Sequence, residues 1–192
     1  MITRLFAGAP RADRPVAECL HHWRTVHGPL ASDLPGLRRY VQYHPVAPRP
    51  GTWCVFSAHD FDDRAALEAA FGVSAPPTPA LAAANADEAA FLDPDAETGG
   101  IVAQRRLQRL GPVDPTGWTV LVFDAPASFA APGDGRHDRL VALPPPLPWD
   151  GRTWSTVDLV AVSSDDREAA DALGGVVTRP HVVFGRPGAR PR

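Results

Sequence analysis

The sequence predicts an α+β fold of two ferredoxin-like modules whose antiparallel sheets pack face to face. Apolar periodicity gives the element order β-α-β-β-α-α-β in the first half and β-loop-β-β-α-β in the second half. The second half therefore repeats the first, with one helix reduced to a loop. Each module covers one sheet face with helices, and the other face, if apolar, must also be buried. A length of 192 residues accommodates two such modules in one chain.

The first helix carries the clearest signals of the first half. It is predicted from Pro15 to Val26, because a proline suits the first helical turn and Asp13 precedes it as a cap. Gly28 and Pro29 are expected to end it. One face of this helix, at a period of 3.6 residues, carries Val16, Leu20, Trp23 and His27.

Alternating apolar residues, interrupted by proline and glycine, predict the other elements. In the first half, strands are expected over residues 1–7, 37–44, 52–58 and 99–107, with helices ending near residues 71 and 91. In the second half, strands are expected over 118–124, 139–143, 153–162 and 176–184, with a helix over 164–173. We therefore divide the chain into a module of residues 1–110, which carries the candidate site, and a degenerate module of residues 111–192 without its first helix.

Composition excludes several functions. All 19 basic side chains are arginine, so Schiff-base chemistry, pyridoxal phosphate attachment and a P-loop lysine are excluded. A net charge of −3 argues against nucleic-acid binding, which needs a basic face. Cys19 and Cys54 are too few for a disulfide framework or a cysteine zinc site. The chain shows neither a signal peptide nor an apolar stretch long enough to span a membrane, so we expect a cytoplasmic protein without membrane partners.

The segment HHWRTVHGPL, followed by LPGLRRYVQYH, resembles the EthD family of the dimeric α/β-barrel superfamily. The later segments FDDRAALEAAF and DEAAFLD are similar to the family's second helical stretch. The resemblance covers about Met1 to Leu107 and is only topological beyond. It implies ferredoxin-like modules paired into a barrel, here fused in one chain, with a pocket between helices and sheet. The matching histidine is His27. Related barrels are cofactor-free oxygenases, polyketide cyclases, dehydratases and decarboxylases, so no cofactor is expected.

The candidate site is assembled around His27, whose ring is expected to point at the sheet. A neutral imidazole in an apolar pocket can exchange protons near neutral pH; the alternative is a core histidine bonded to a backbone carbonyl. Tyr40 and His44 complete the predicted catalytic set, because they share one strand face with Gln42. If the opposite face meets the helices, Tyr43 and Arg39 lie there instead. The predicted substrate-binding residues are Trp23, Gln42, Tyr43 and His22.

No metal site is expected, because His22 and His27 lie about 140° apart on an α-helix. The segment Asp60–Asp63 is expected to cap the following helix; the alternative role of the Asp60 carboxylate is to orient a histidine. His137 and His181 have no aromatic helix beside them, which suggests one working site, in the first module.

The sequence therefore predicts a cofactor-independent acid/base enzyme, of cyclase, dehydratase or other lyase type. Its expected partner is a small apolar substrate, aromatic or polyketide-like, from bacterial secondary metabolism. The alternatives are a cofactor-free monooxygenase acting on a phenol and a ligand-binding barrel without catalysis. The two modules are expected to form a pseudo-dimer within the chain, which leaves both a monomer and a homodimer open.

Overall fold

The computed structural model describes residues 1–73, 76–109, 117–125, 129, 136–143, 151–163, 168 and 173–185. The first half contains strands β1 to β4, helices α1 to α4 and one π-helical segment. In chain order these are β1 (Ile2–Gly8), α1 (Val16–His22), the π segment (Trp23–His27), α2 (Gly28–Ser32), β2 (Arg39–Pro45), β3 (Val55–Phe61), α3 (Arg64–Ala70), α4 (Pro79–Glu88) and β4 (Gly99–Arg109).

The second half contributes five strands among the described residues. These are β5 (Trp118–Phe123), β6 (His137–Ala142), β7 (Arg152–Thr153), β8 (Thr156–Val162) and β9 (Val176–Gly185). Strand β7 runs parallel to the start of β4, so the strand predicted over 153–162 is two separate pieces. The helix predicted over 164–173, and the loop predicted in place of a first helix, lie largely outside the described residues.

Helix ends follow side-chain chemistry in α3 and α4 but not in the first helix. The side chain of Asp63 accepts a hydrogen bond from the Ala66 amide at 2.8 Å, and Thr78 caps α4. Asp13 pairs with Arg11 instead of capping α1, and Pro15 itself occupies the cap position. The predicted stop at Gly28 and Pro29 is wrong. Because Pro29 falls in the first turn of α2, where its missing amide costs little, the helical path continues to Ser32.

Eight strands close into one antiparallel barrel. Neighbouring strands follow the order β4-β1-β3-β2 in the first half and β9-β5-β8-β6 in the second. The antiparallel pairs β2–β9 and β4–β6 join the two halves along both edges. The sheets predicted to pack face to face are therefore two walls of a single closed sheet. Closure pairs the edge strands, which would otherwise remain open to further pairing.

The barrel has an apolar interior and a helix-covered outer wall. Interior side chains come from both halves and include Leu5, Val41, Phe56, Leu121 and Leu140. The outer wall of the first half packs against the helices through Leu34, Leu37, Tyr40, Phe61 and Leu67. Alternate residues of β2 therefore face opposite sides, with Tyr40 towards the helices and Tyr43 towards the interior. Among the described residues, no helix is long and apolar enough to cross a membrane.

Candidate functional site

The π segment positions the histidine helix against strand β2. The amide of Gly28 donates to the carbonyl oxygen of Trp23, five residues earlier, and the Gln42 Nε2 amide donates to the same oxygen at 2.9 Å. A Cβ on Gly28 would lie 3.0 Å from Gln42 Nε2, so the close approach depends on the glycine. Single π turns of this kind occur often at functional sites, because they reorient side chains within a helix.

The wider turn brings two histidines onto one carboxylate. His22 Nε2 lies 2.8 Å from Asp87 Oδ1, and His27 Nδ1 lies 3.2 Å from Asp87 Oδ2. The prediction that these histidines lie 140° apart is wrong, because it assumed an α-helical turn across Trp23–His27. A carboxylate only accepts hydrogen bonds, so Asp87 favours the tautomer of His27 that carries its proton on Nδ1. Within the described part of the chain, His27 Nε2 has no hydrogen-bond partner.

A cavity of about 60 Å³ lies between these helices and the outer face of the sheet. Its aromatic wall comes from Trp23 and Phe91, and the His27 ring centroid lies 4.8 Å from that of Phe91. The cavity is also lined by side chains that can ionise, and these are His27, His59, Arg4 and Glu88. A neutral imidazole thus faces a small enclosed space in which hydrogen bonds are not weakened by bulk water.

Burial shifts the pKa of every one of these ionisable groups. It lowers the pKa of His27, although the charge of Asp87 opposes the shift, and it lowers that of Arg4 to about 10. Burial, with the charge of Arg4, holds the pKa of His59 well below its usual value. Burial raises the pKa of Glu88, against the opposing charge of Arg4. Such clustering of perturbed groups around one cavity is typical of catalytic sites.

His59 has a second unusual property. Its Nδ1 is buried and has no hydrogen-bond partner among the residues that the structure describes, and its ring stacks on Tyr40 with the centroids 4.4 Å apart. Asp60, the next residue, faces the barrel interior and accepts hydrogen bonds from Thr3 and Arg105. Neither role is therefore seen for the Asp60 carboxylate itself, and within the segment Asp60–Asp63 it is Asp63 that caps α3.

The predicted catalytic residues are only partly brought together. Tyr40, Gln42 and His44 do face the helices. Tyr40 is fully buried beneath His59, accepts a hydrogen bond from Gln42 at 3.1 Å, and has a pKa raised by burial to about 12. His44 packs on the far side of Trp23, 4.6 Å between ring centroids, and burial lowers its pKa to about 4. Tyr40 and His44 therefore lie outside the lining of the His27 cavity.

The predicted substrate-binding residues divide in the same way. Trp23 lines the cavity, and His22 holds the Asp87 carboxylate beside it. Gln42 supports the π segment from below, so it positions the helix without lining the cavity. Tyr43 lies on the opposite strand face, inside the barrel.

Sequence reasoning missed Asp87, Glu88, Arg4 and His59 as members of this site. The first two lie in the segment DEAAFLD at the end of α4, and two adjacent carboxylates before a phenylalanine were the available signal. Arg4 and His59 occupy paired positions on neighbouring strands β1 and β3. That pairing connects residues 55 positions apart and cannot be read from local patterns.

Fold and site together define the chain as a closed antiparallel α/β barrel with a small cavity beneath the helices of its first half. Residues 14–95 match the EthD domain, which confirms the resemblance drawn from the HHWRTVHGPL and LPGLRRYVQYH segments. No curated protein sequence matches the chain. A crystal structure from Fusobacterium nucleatum, named "putative monooxygenase", is similar with a TM-score of 0.51 and 9% identity, over 95% of this chain and 92% of that one. At this identity the similarity shows the fold alone.

Proposed function

We propose that the chain is an enzyme that performs cofactor-independent acid/base chemistry on a small, mostly apolar molecule held at the His27 cavity. The observation that supports this most directly is that His27 Nε2 has no hydrogen-bond partner in the described ranges, whereas Asp87 holds the other ring nitrogen at 3.2 Å. A base oriented on one side and open on the other is the arrangement that proton transfer requires. Most buried polar atoms have a hydrogen-bond partner, so an unpartnered ring nitrogen at a cavity supports a role beyond packing.

The proposed reaction is the loss of water, with or without ring closure, from a substrate that carries a carbonyl group. Neutral His27 removes a proton from the carbon beside the carbonyl, and Asp87 stabilises the imidazolium that forms. Glu88, whose raised pKa favours the protonated form, delivers a proton to the leaving hydroxyl. While His27 removes this proton, and before the hydroxyl leaves, Arg4 stabilises the negative charge that develops on the carbonyl oxygen.

The volume of the cavity limits how much of a substrate it can enclose. Sites that enclose a whole drug-sized ligand measure about 300–1,000 Å³, whereas this cavity measures about 60 Å³. It therefore accommodates the reacting end of a substrate. Phe71 and Phe91 in its lining favour an aromatic or polyketide-like body over a sugar or a peptide.

We also propose that the barrel is a fused pair of ferredoxin-like modules, residues 1–110 and 111–192. The identical order of strands in the two halves supports this, because each half reads as fourth, first, third and second strand of its own module. The proposed base His27 and the proposed acid Glu88 both lie on helical segments of the first module. In this proposal the second module completes the barrel and has no site of its own.

The test is turnover of aromatic β-hydroxy ketones, followed as an 18-Da loss by mass spectrometry. His27→Gln is expected to reduce the rate at least about a hundredfold, the scale of a lost general base. The matched control is His21→Gln, an exposed histidine on the same helix, which should retain the full rate. Full activity in His27→Gln would remove this residue from the mechanism.

The other functions give different results with the same protein. A cofactor-free monooxygenase would consume oxygen in the presence of a phenol, without added flavin or metal, and an oxygen electrode would detect this. A carrier would bind the substrate saturably and return it unchanged. Either result, without water loss, would contradict the proposed dehydration.

A further inference from the structure

The barrel interior opens at one end into a second cavity, of about 270 Å³. This cavity lies on the opposite face of the sheet from the His27 site. Its lining comes from both halves of the chain, and includes Arg39, Arg105, Arg136, Asp138, Leu159 and Pro180. Arg136 immediately precedes β6, and the other five residues lie on strands β2, β4, β6, β8 and β9. The cavity therefore exists only because the barrel closes.

Two of its three arginines are engaged by carboxylates. Arg136 binds Asp138 through both Nε and Nη2, at 2.9 and 3.2 Å. Arg105 is nearly buried and lies between Asp60, at 3.2 Å, and Asp138, at 3.7 Å. Burial alone would lower the pKa of Arg105, but Asp60, Tyr43 and Asp138 outweigh it and raise the pKa.

Arg39 is placed differently. Its Nη1 is 3.9 Å from Asp60 Oδ2, which is too long for a hydrogen bond, and its side chain is 38% exposed. Among the described residues, no hydrogen bond from the Arg39 guanidinium is found. Among the described residues, three guanidinium groups thus share the carboxylates of Asp60 and Asp138, and that of Arg39 retains unused donors at the cavity.

Apart from the hydroxyl groups of Tyr43 and Thr119, the other side chains that line the cavity are apolar. Leu159, Ala161 and Pro180 form a wall contributed by the second half. A guanidinium beside an apolar wall matches a molecule with a carboxylate at one end and a hydrocarbon body at the other, because the guanidinium fork pairs with both carboxylate oxygens. We propose that this barrel-mouth cavity binds a small organic carboxylate, with Arg39 as the residue that holds its charge.

Benzoate is the probe, measured by isothermal titration calorimetry at low ionic strength, with benzamide as the uncharged match. Saturable binding of benzoate, at least tenfold tighter than that of benzamide, is expected. Arg39→Gln should weaken benzoate binding at least tenfold. The control is Arg106→Gln, which alters an exposed arginine next to Arg105 on the opposite face of β4 and should leave the affinity unchanged.

Two further variants test whether benzoate occupies this cavity and not the one at His27. Ala161→Phe fills the cavity from the opposite wall and should also abolish binding while Arg39 is intact. His27→Gln should leave binding unchanged, which separates this site from the proposed catalytic cavity. The proposal is overturned if benzoate does not bind, if either Arg39→Gln or Ala161→Phe binds it normally, or if His27→Gln loses it.

Discussion

His22 and His27 bind the two oxygens of the same carboxylate, that of Asp87, although they lie five positions apart on one helical stretch. The π turn between them makes this possible. Asp87 reaches them from α4, so the carboxylate also ties the two helical layers together at the cavity. The orientation of the proposed base therefore depends on a residue 60 positions away.

Replacement of Asp87 by asparagine tests this relationship directly. Burial lowers the pKa of His27 and the charge of Asp87 raises it, so removing that charge should lower the pKa further. The measurement is an NMR titration of the His27 ring, which should report a lower pKa in Asp87→Asn than in the wild type. Turnover should fall about tenfold or more, because the asparagine no longer selects one tautomer. An unchanged or higher pKa in the variant would contradict the assigned interaction.

The sequence predicted the strands well and the helix interior poorly, and the reason is physical. Alternation along β2 places Tyr40 and Gln42 on one face whatever their partners are, so that grouping was predictable. Periodicity across Trp23–His27 was interpreted at 3.6 residues per turn, whereas the segment winds more widely. The wider winding depends on the Gln42 amide, which donates a hydrogen bond to the Trp23 carbonyl from strand β2. Tertiary partners of this kind leave no local pattern.

The family resemblance implied a barrel, but the strand pairs that close it could not be predicted from local sequence patterns. The prediction of two sheets rested on bare apolar faces, and those faces do lie against each other across the interior. The edge pairs β2–β9 and β4–β6 join strands from different halves, and no turn between them sets their register. The site residues Arg4 and His59 were missed for the same reason, because a strand pair brings them together.

Acidification should destabilise the fold through its buried histidines. His59 is 5% exposed and its folded pKa lies well below 6.5, so the unfolded chain binds one more proton than the folded chain once the pH falls below about 6.5. The stability contributed above that pH is lost progressively down to the folded pKa. Urea unfolding at pH 7, 6 and 5 should therefore give falling unfolding free energies.

A matched pair of variants tests whether His59 causes this dependence of the unfolding free energy on pH. His59→Phe preserves the stack on Tyr40 and removes the titration, so the pH dependence should weaken by up to about 1.4 kcal/mol per pH unit. His21→Phe, at an exposed position, should retain the wild-type slope. Equal slopes in wild type and His59→Phe would show that His59 does not couple folding to pH.

Gly28→Ala tests the packing beneath the π segment. The added methyl group would lie 3.0 Å from Gln42 Nε2, so it should displace the amide from the Trp23 carbonyl and cost about 1–3 kcal/mol of unfolding free energy. Denaturant unfolding in a double-mutant cycle with Gln42→Ala provides the check. In the Gln42→Ala background the same alanine should cost distinctly less, because the clash is gone. If the losses of unfolding free energy from the two substitutions are additive, the effect of Gly28→Ala does not arise from its contact with Gln42.

A shared interior predicts that the two halves unfold together. Leu5 from the first half and Leu121 from the second are both fully buried in one cluster inside the barrel. Replacement of either by alanine should therefore cost about 2–5 kcal/mol and shift a single unfolding transition. Hydrogen exchange should show the amides of β3 and β8 losing protection to the same extent in both variants, since neither strand can open while the barrel stays closed. If Leu121→Ala exposed only β8 and left β3 protected, the halves would be independent units joined at their edges.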